Sequence, residues 1–294
     1  MALEMRPISV EEFATYSHAA GAAFGTRSTE EEIARYRTTF EPDRSLAVFD
    51  GGQIVATAGA LSLRLTLPGG ADVPVAGVSA VGVVPTHRRQ GLLRQMMRRQ
   101  LEDVRERGEC MAALTASESI IYGRFGYGVA TSRMNYEIAR TDARLLREPE
   151  ASGTLRMVEQ EEALPHLMAL YDALRPGQVG AVDRTEAFWR AELLHPLGVD
   201  GGTRFFVVYA GEDGHVEGAV YYRIQRQWED SISQSVLHVG ELLALTPAAR
   251  AALWRYTLSV DLVAKIRAIN RPVDEPLRWM LADPRRLRVT DLWD

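Results

Sequence analysis

The most constraining stretch of this 294-residue chain is Val81-Gly82-Val83-Val84-Pro85-Thr86-His87-Arg88-Arg89-Gln90-Gly91-Leu92-Leu93-Arg94. An apolar run reaches a proline, passes through R-x-x-G, and enters a segment where Leu92, Leu93, Met96, Met97, Leu101 and Val104 recur at helical spacing. The pattern predicts a buried strand over 73–84 and an amphipathic helix over 86–107, ended by Gly108. The first N–H groups of a helix have no intrahelical partner. With the helix dipole they form a site for a phosphate or pyrophosphate. Gly91 lets an anion approach the backbone closely, and Arg88, Arg89 and Arg94 add positive charge near it. R-x-x-G alone also fits a basic surface helix; the strand before it and the amphipathic helix after it favour the anion site.

A second motif follows a short apolar strand predicted over 111–115. It reads Ser117-Glu118-Ser119-Ile120-Ile121-Tyr122-Gly123-Arg124-Phe125-Gly126-Tyr127 and contains Y-x-x-x-G-[FY]. A short helix is predicted through 120–125 and a strand through 129–138. A phenol here can serve as a proton donor. Tyr122 is the candidate, and Tyr127, the aromatic after the glycine, is given a packing role. Ser117 and Glu118 stand at the strand's end, where they can touch a ligand; Glu118 can also be a helix cap.

Helices are predicted over 11–24 and 29–40, the latter opened by Thr29 and the acids behind it. Strands 45–49 and 53–65 flank the turn Asp50-Gly51-Gly52. A polar stretch, 147–155, reads as a linker. The second half then echoes the first. Phe205–Tyr209, Asp213-Gly214 and Val216–Arg226 repeat the hairpin, and Val239-Gly240-Glu241-Leu242 leads to a helix in which Pro247 aligns with Pro85 and Arg250 with Arg88. Leu253 falls where Gly91 stands. This is an internal duplication whose second copy lost its glycine. The expected fold class is α/β (α+β): tandem domains over 1–148 and 149–294, mixed central sheets flanked by helices, the second copy degenerate.

Composition excludes several classes. Hydrophobic residues at 46% and charged residues at 25% suit a buried core. A net charge of −5 implies no nucleic-acid partner. The six histidines lack ligand spacing and Cys110 is the only cysteine, so neither a metal nor an internal disulfide is expected. Cys110 precedes a buried strand and reads as packed rather than nucleophilic. No signal peptide is visible, and no stretch approaches the roughly 18 apolar residues of a membrane span. The expected setting is the cytoplasm, without a membrane.

At VPTHRRQGLLRQM (84–96) and SESIIYGRFGYG (117–128) the sequence resembles the GNAT superfamily of N-acetyltransferases. More narrowly, it is similar to the enhanced intracellular survival (Eis) proteins of actinobacteria. The resemblance implies two tandem GNAT-like domains, the first active, and acetyl-CoA as co-substrate. By the same resemblance, acetyl-CoA meets the backbone of Val81, Gly82 and Val83. It also meets Arg89, Gln90, Gly91, Leu92, Leu93 and Arg94, then Ser117 and Glu118. Tyr122 follows a strand splayed from the pyrophosphate strand, faces the sulfur and protonates it. The acceptor implied is a primary amine of a polycationic small molecule, aminoglycosides among them, or a peptidyl amine. Transfer would be direct, in a ternary complex, within a homo-oligomer, a hexamer. The family also carries a C-terminal sterol-carrier-like domain whose terminal carboxylate is the general base. That domain is expected to be absent here, and Asp294 does not take over its role. Two alternatives stay open. A non-catalytic acyl-CoA-binding or scaffold protein would need Gly91 but not the phenol of Tyr122. A GNAT fold could also act on a peptide or protein amine.

Overall fold

The run Ile54-Val55-Ala56-Thr57-Ala58-Gly59-Ala60 does not alternate between apolar and polar residues. Only a strand covered on both faces suits such a run, and its residues are indeed almost inaccessible to solvent. The structure, a computed structural model, describes residues 3–147, 153–193 and 203–293.

In chain order the elements begin β1 (Glu4–Pro7), α1 (Phe13–Ala23), α2 (Glu30–Tyr36), β2 (Ser45–Asp50), β3 (Gln53–Thr66), β4 (Asp72–Val83), α3 (Leu92–Glu106), β5 (Ala112–Ala113) and α4 (Ser119–Tyr122). They continue β6 (Arg133–Ala139), β7 (Thr154–Val158), α5 (Gln160–Leu174), α6 (Glu186–Phe188), β8 (Arg204–Ala210), β9 (Val216–Gln225), β10 (Trp228–Glu229) and β11 (Ile232–Ser233). The last are β12 (Val236–Ala244), α7 (Pro247–Ser259), β13 (Lys265–Pro272), α8 (Leu277–Met280) and β14 (Arg288–Trp293). They divide into two units: Met1–Gly128 with Gln178–His195, and Val129–Gly177 with Pro196–Asp294.

In the first unit the sheet order is β1-β2-β3-β4-β5, antiparallel except for the parallel β4–β5 pair. A core on one face joins Phe13 and Tyr16 of α1 and Ile33 of α2 to Ala47, Phe49 and Ile54. A second joins Leu92 and Met96 of α3 to Leu46, Val48, Val55, Ala56 and Ala58. Alternate side chains of β2 feed the two cores, as a period of two requires; in β3 the extra residue Val55 breaks the alternation, so Ile54 faces one core and Val55, Ala56 and Ala58 the other. Burying one such side chain contributes about 1.5–3 kcal/mol. The start of α2 follows its sequence: Thr29 accepts from the N–H of Glu32, and the Glu32 carboxylate accepts from the N–H of Thr29.

In the second unit the order is β14-β6-β13-β12-β9-β8-β7. β7, β8, β9 and β12 are antiparallel in turn, and β12 runs parallel to β13. This repeats β1 through β5, with α5 standing for α1 and α7 for α3. The duplication expected from sequence is therefore visible as topology. One strand departs from the expected division. β6, assigned to the first domain by its position before 148, lies between β13 and β14, antiparallel to both. Tyr136 and Ile138 of β6 belong to the core that Leu253 and Trp254 of α7 complete. The first unit also regains Gln178–His195, where Asp183 accepts from the Arg64 N–H and Ala181 O from the Thr66 N–H. Of the expected linker 147–155, residues 148–152 lie outside the described residues, and Thr154 already begins β7.

Candidate active site

Two neighbouring strands part company at the end of β4. Its pairing with β5 covers only Ala76–Ala112 and Gly77–Ala113, so Val78–Val83 run on with β3 alone beside them among the described strands. The strand expected over 111–115 is thus only two residues long, because the chain leaves the sheet after Ala113. Alternation fixes what the open edge shows. Val84 N–H bonds to Val55 O at 3.0 Å, and Gly82 stands opposite Thr57. Val83, between those two hydrogen-bonded pairs, turns its N–H and C=O away from β3. Just before it, a bulge puts an extra residue into β4 between Ser79 and Gly82. Ala80 takes φ 51° there, and the hydroxyl of Thr57 donates to its carbonyl at 2.7 Å. Sequence reasoning missed Thr57. Its signal was available: a lone polar residue inside a buried apolar run.

The connection to α3 is not helical from residue 86. Pro85–His87 make a 3-10 turn, and the helix starts at Leu92. Between them Arg89 takes φ 64° and Gly91 φ 83°. Left-handed residues alternating with ordinary ones turn successive N–H groups inward, forming a concavity that suits an anion. The N-terminus of α3 adds its unpaired N–H groups, and no side chain caps it. Arg89, Gln90 and Arg94 are exposed around it, Leu93 is half-buried, and Leu92 sends its side chain into the core and can offer only backbone.

Two expected ligand residues have other work. Arg88 donates from Nε to Val83 O at 3.1 Å and from Nη2 to Ala23 O at 2.8 Å, tying the loop to the end of α1. A Cβ on Gly82 would lie 2.6 Å from the Cβ of Ala23, so this glycine is demanded by the packing of α1. Val81 sits in the bulge, half-buried.

Beyond β5, Ser117 and Glu118 are exposed. Glu118 occupies the cap position of α4 but makes no side-chain cap bond; its carbonyl receives the Ile121 N–H. Tyr122 ends α4 and is buried, with its ring edge-on to Tyr127 at 5.9 Å. Burial pushes the Tyr122 phenol above its ordinary value, which keeps it protonated, the form a donor needs. Tyr127 is pushed up to about 12 by burial and by Tyr122, and its buried hydroxyl has no hydrogen-bond partner among the described residues. Cys110, expected to be packed, is exposed, because it stands between α3 and β5, outside the sheet. Among the described residues no group of three or more His, Cys, Asp or Glu could hold a metal, and no helix is long and apolar enough to cross a membrane.

Comparison with known proteins agrees with this geometry. A family described as "Acetyltransferase (GNAT) domain" matches residues 4–130, and a second of the same description matches 180–293. An uncharacterized N-acetyltransferase of Streptomyces avermitilis is 41% identical over 267 residues, covering 90% of this chain and 65% of the relative. The N-acetyltransferase Eis of Mycobacterium tuberculosis is 34% identical over 279 residues, covering 92% and 67%. The crystal structure of Eis1 from Mycobacterium abscessus superposes with a TM-score of 0.84 at 33% identity, covering 99% of this chain and 72% of that one. The chain belongs to the Eis-like N-acetyltransferases of the GNAT superfamily. It spans about two thirds of the length of the curated relatives it matches.

The second GNAT domain lacks the loop that precedes α3. Its helix α7 begins at Pro247, three residues after β12 ends, so the loop equivalent to 85–91 is missing. Pro247 fills the first turn, and the Thr246 hydroxyl accepts from the Ala249 N–H at 3.1 Å. Leu253, aligned with Gly91 in sequence, is inside the helix and fully buried. The glycine disappeared because its backbone conformation did.

Proposed function

We propose that this chain transfers an acetyl group from acetyl-CoA to a primary amine, directly, in a ternary complex. The observation that carries the reading is the contrast between the two equivalent helices. α3 starts uncapped, behind a loop with two left-handed residues, whereas α7 is capped by its own threonine and proline. The concavity at Arg89–Gly91 and the N–H groups of Leu92, Leu93 and Arg94 would receive the pyrophosphate, with Arg89 and Arg94 adding charge. The residues present fit such a group: an open edge beside β4 takes the pantetheine arm, and among the described residues no side chain caps the helix end.

The bound thioester supplies the acetyl group. Val83, whose N–H points away from β3, donates to the thioester oxygen as negative charge develops on it. Tyr122, held protonated by burial, gives its proton to the departing thiolate. Ser117 and Glu118, exposed just before α4, would meet the same ligand. Retention of both Gly91 and the Tyr122 phenol supports catalysis over binding alone.

The test is thiol release from acetyl-CoA with a panel of amines: aminoglycosides, linear polyamines and a peptide with a free N-terminus. Amine-dependent turnover that falls about 100-fold or more in Tyr122→Phe, with acetyl-CoA affinity kept, is the expected result. Equal turnover in the variant would remove Tyr122 from the reaction. Acetyl-CoA binding without turnover on any amine would leave a binding protein.

A further inference from the structure

The loop that presents Arg89 to Gly91 is held in an unfavourable shape. Arg89 is not glycine, yet it takes φ 64°, a region where a side chain bearing Cβ crowds its own backbone. Such a conformation persists only where neighbours over-determine it. One neighbour is Arg88, clamped to Ala23 O and Val83 O. The other is His87. Its Nε2 lies 3.2 Å from Asp50 Oδ2, and since a carboxylate only accepts, the imidazole N–H donates. Its Nδ1 shares a hydrogen bond with the Thr86 hydroxyl at 2.8 Å, and its backbone N–H bonds to Val84 O at 2.9 Å. Two contacts thus fix the ring at both nitrogens, and the third holds its backbone.

Asp50 is itself firmly placed. It closes β2 opposite Gln53, and the two residues between them, Gly51 and Gly52, have φ 56° and 85°. That is the tight hairpin turn whose twist matches its strands. The pair is half-sheltered, with 21% of the His87 side chain and 37% of the Asp50 side chain exposed, so water weakens it without dissolving it. Neither residue belongs to the expected ligand set; the Val84 N–H bond to Val55 O ties the same hairpin to the start of the β4–α3 loop.

We propose that Asp50 and His87 are positioning residues, a brace that holds Arg89 left-handed and so keeps the anion-binding concavity formed before ligand arrives. The inference rests on the acyl-CoA reading of this loop only for its consequence in catalysis; the brace itself is a property of the free protein. Preorganisation of this kind lowers the free energy lost on binding. It acts on affinity for the phosphate-bearing substrate and leaves the transfer step alone.

The test uses the whole chain with Asp50→Ala, His87→Ala and Asp50→Asn. Hydrogen exchange of the segment 85–95 in the free protein should quicken about three- to tenfold in the alanine variants, and less in Asp50→Asn, which keeps an acceptor. With acetyl-CoA, KM should rise by about the same factor while kcat stays within about twofold. Placing Asp50→Ala on an Arg89→Asn background, where the left-handed region is better tolerated, should shrink the exchange effect. Unchanged exchange, or a loss confined to kcat, would overturn the brace. Faster exchange in a protein that binds no acetyl-CoA, wild type included, would keep the brace and sink the acyl-CoA reading instead.

Discussion

Gly82 separates two explanations of one glycine, and Gly82→Ala decides between them. In the family resemblance this residue lies along acetyl-CoA. In the structure its missing side chain is claimed by α1: an added Cβ would sit 2.6 Å from the Ala23 Cβ and 3.8 Å from the Phe24 ring. Methyl carbons do not approach closer than about 3.5 Å without repulsion, and Ala23 has no side-chain torsion to yield. The end of α1 must therefore shift by roughly an ångström, against the Arg88 clamp on its last carbonyl. Forcing an extra methyl into packed surroundings costs about 1–3 kcal/mol. Urea or thermal unfolding should report that loss, at about 2–4 °C per kcal/mol for a unit of this size. The control is Gly91→Ala. There a Cβ meets nothing closer than Gln95 Nε2 at 4.0 Å, and only the φ of 83° resists it. That strain is about 1–2 kcal/mol, and it should appear chiefly as weakened acetyl-CoA binding. A Gly82→Ala protein of wild-type stability that has lost acetyl-CoA affinity would refute the packing argument and return Gly82 to the ligand.

Three further outcomes follow from the same coordinates. Thr246→Ala should destabilise the second unit by about 1 kcal/mol through loss of the α7 cap and leave acetyl-CoA affinity unchanged, as read by calorimetry. Arg44→Met should cost about 3–5 kcal/mol by denaturant unfolding, because Glu109, whose side chain is 8% exposed, loses both of its 2.6–2.7 Å hydrogen bonds. Adding Glu109→Leu should recover most of that loss. His238 is held down to about 4 by burial and by Arg223 and Arg267, against an ordinary 6.5. The unfolded chain therefore binds this proton first, and stability should fall as pH drops from about 6.5 towards 4. His238→Gln should flatten that part of a stability-versus-pH curve; an unchanged slope would assign it to other groups.

The strand, the turn and the helix around Gly91 were legible in the sequence because each is a local matter. Helical spacing, proline geometry and glycine's access to positive φ act within a few residues. The Y-x-x-x-G-Y motif likewise located Tyr122 at a helix end, and the echo between the halves foretold two sheets of one topology. Local grammar also misled. The periodicity that began a helix at Thr86 could not register Arg89 in the left-handed region, flanked by contacts of His87 with Asp50 and of Arg88 with Ala23 that are remote in sequence. Cys110 was read as packed because the strand after it was expected to be longer than the two residues that pair.

What the sequence by itself determined was the family, the duplication and the strand-turn-helix order around Gly91, all written in patterns shorter than a helix or repeated along the chain. Tertiary structure alone decided that β6 pairs with β13 and β14 and that Gly82 makes room for α1. Both rest on contacts between residues distant in sequence, and a steric or hydrogen-bond partner across such a distance leaves no periodic trace in the chain.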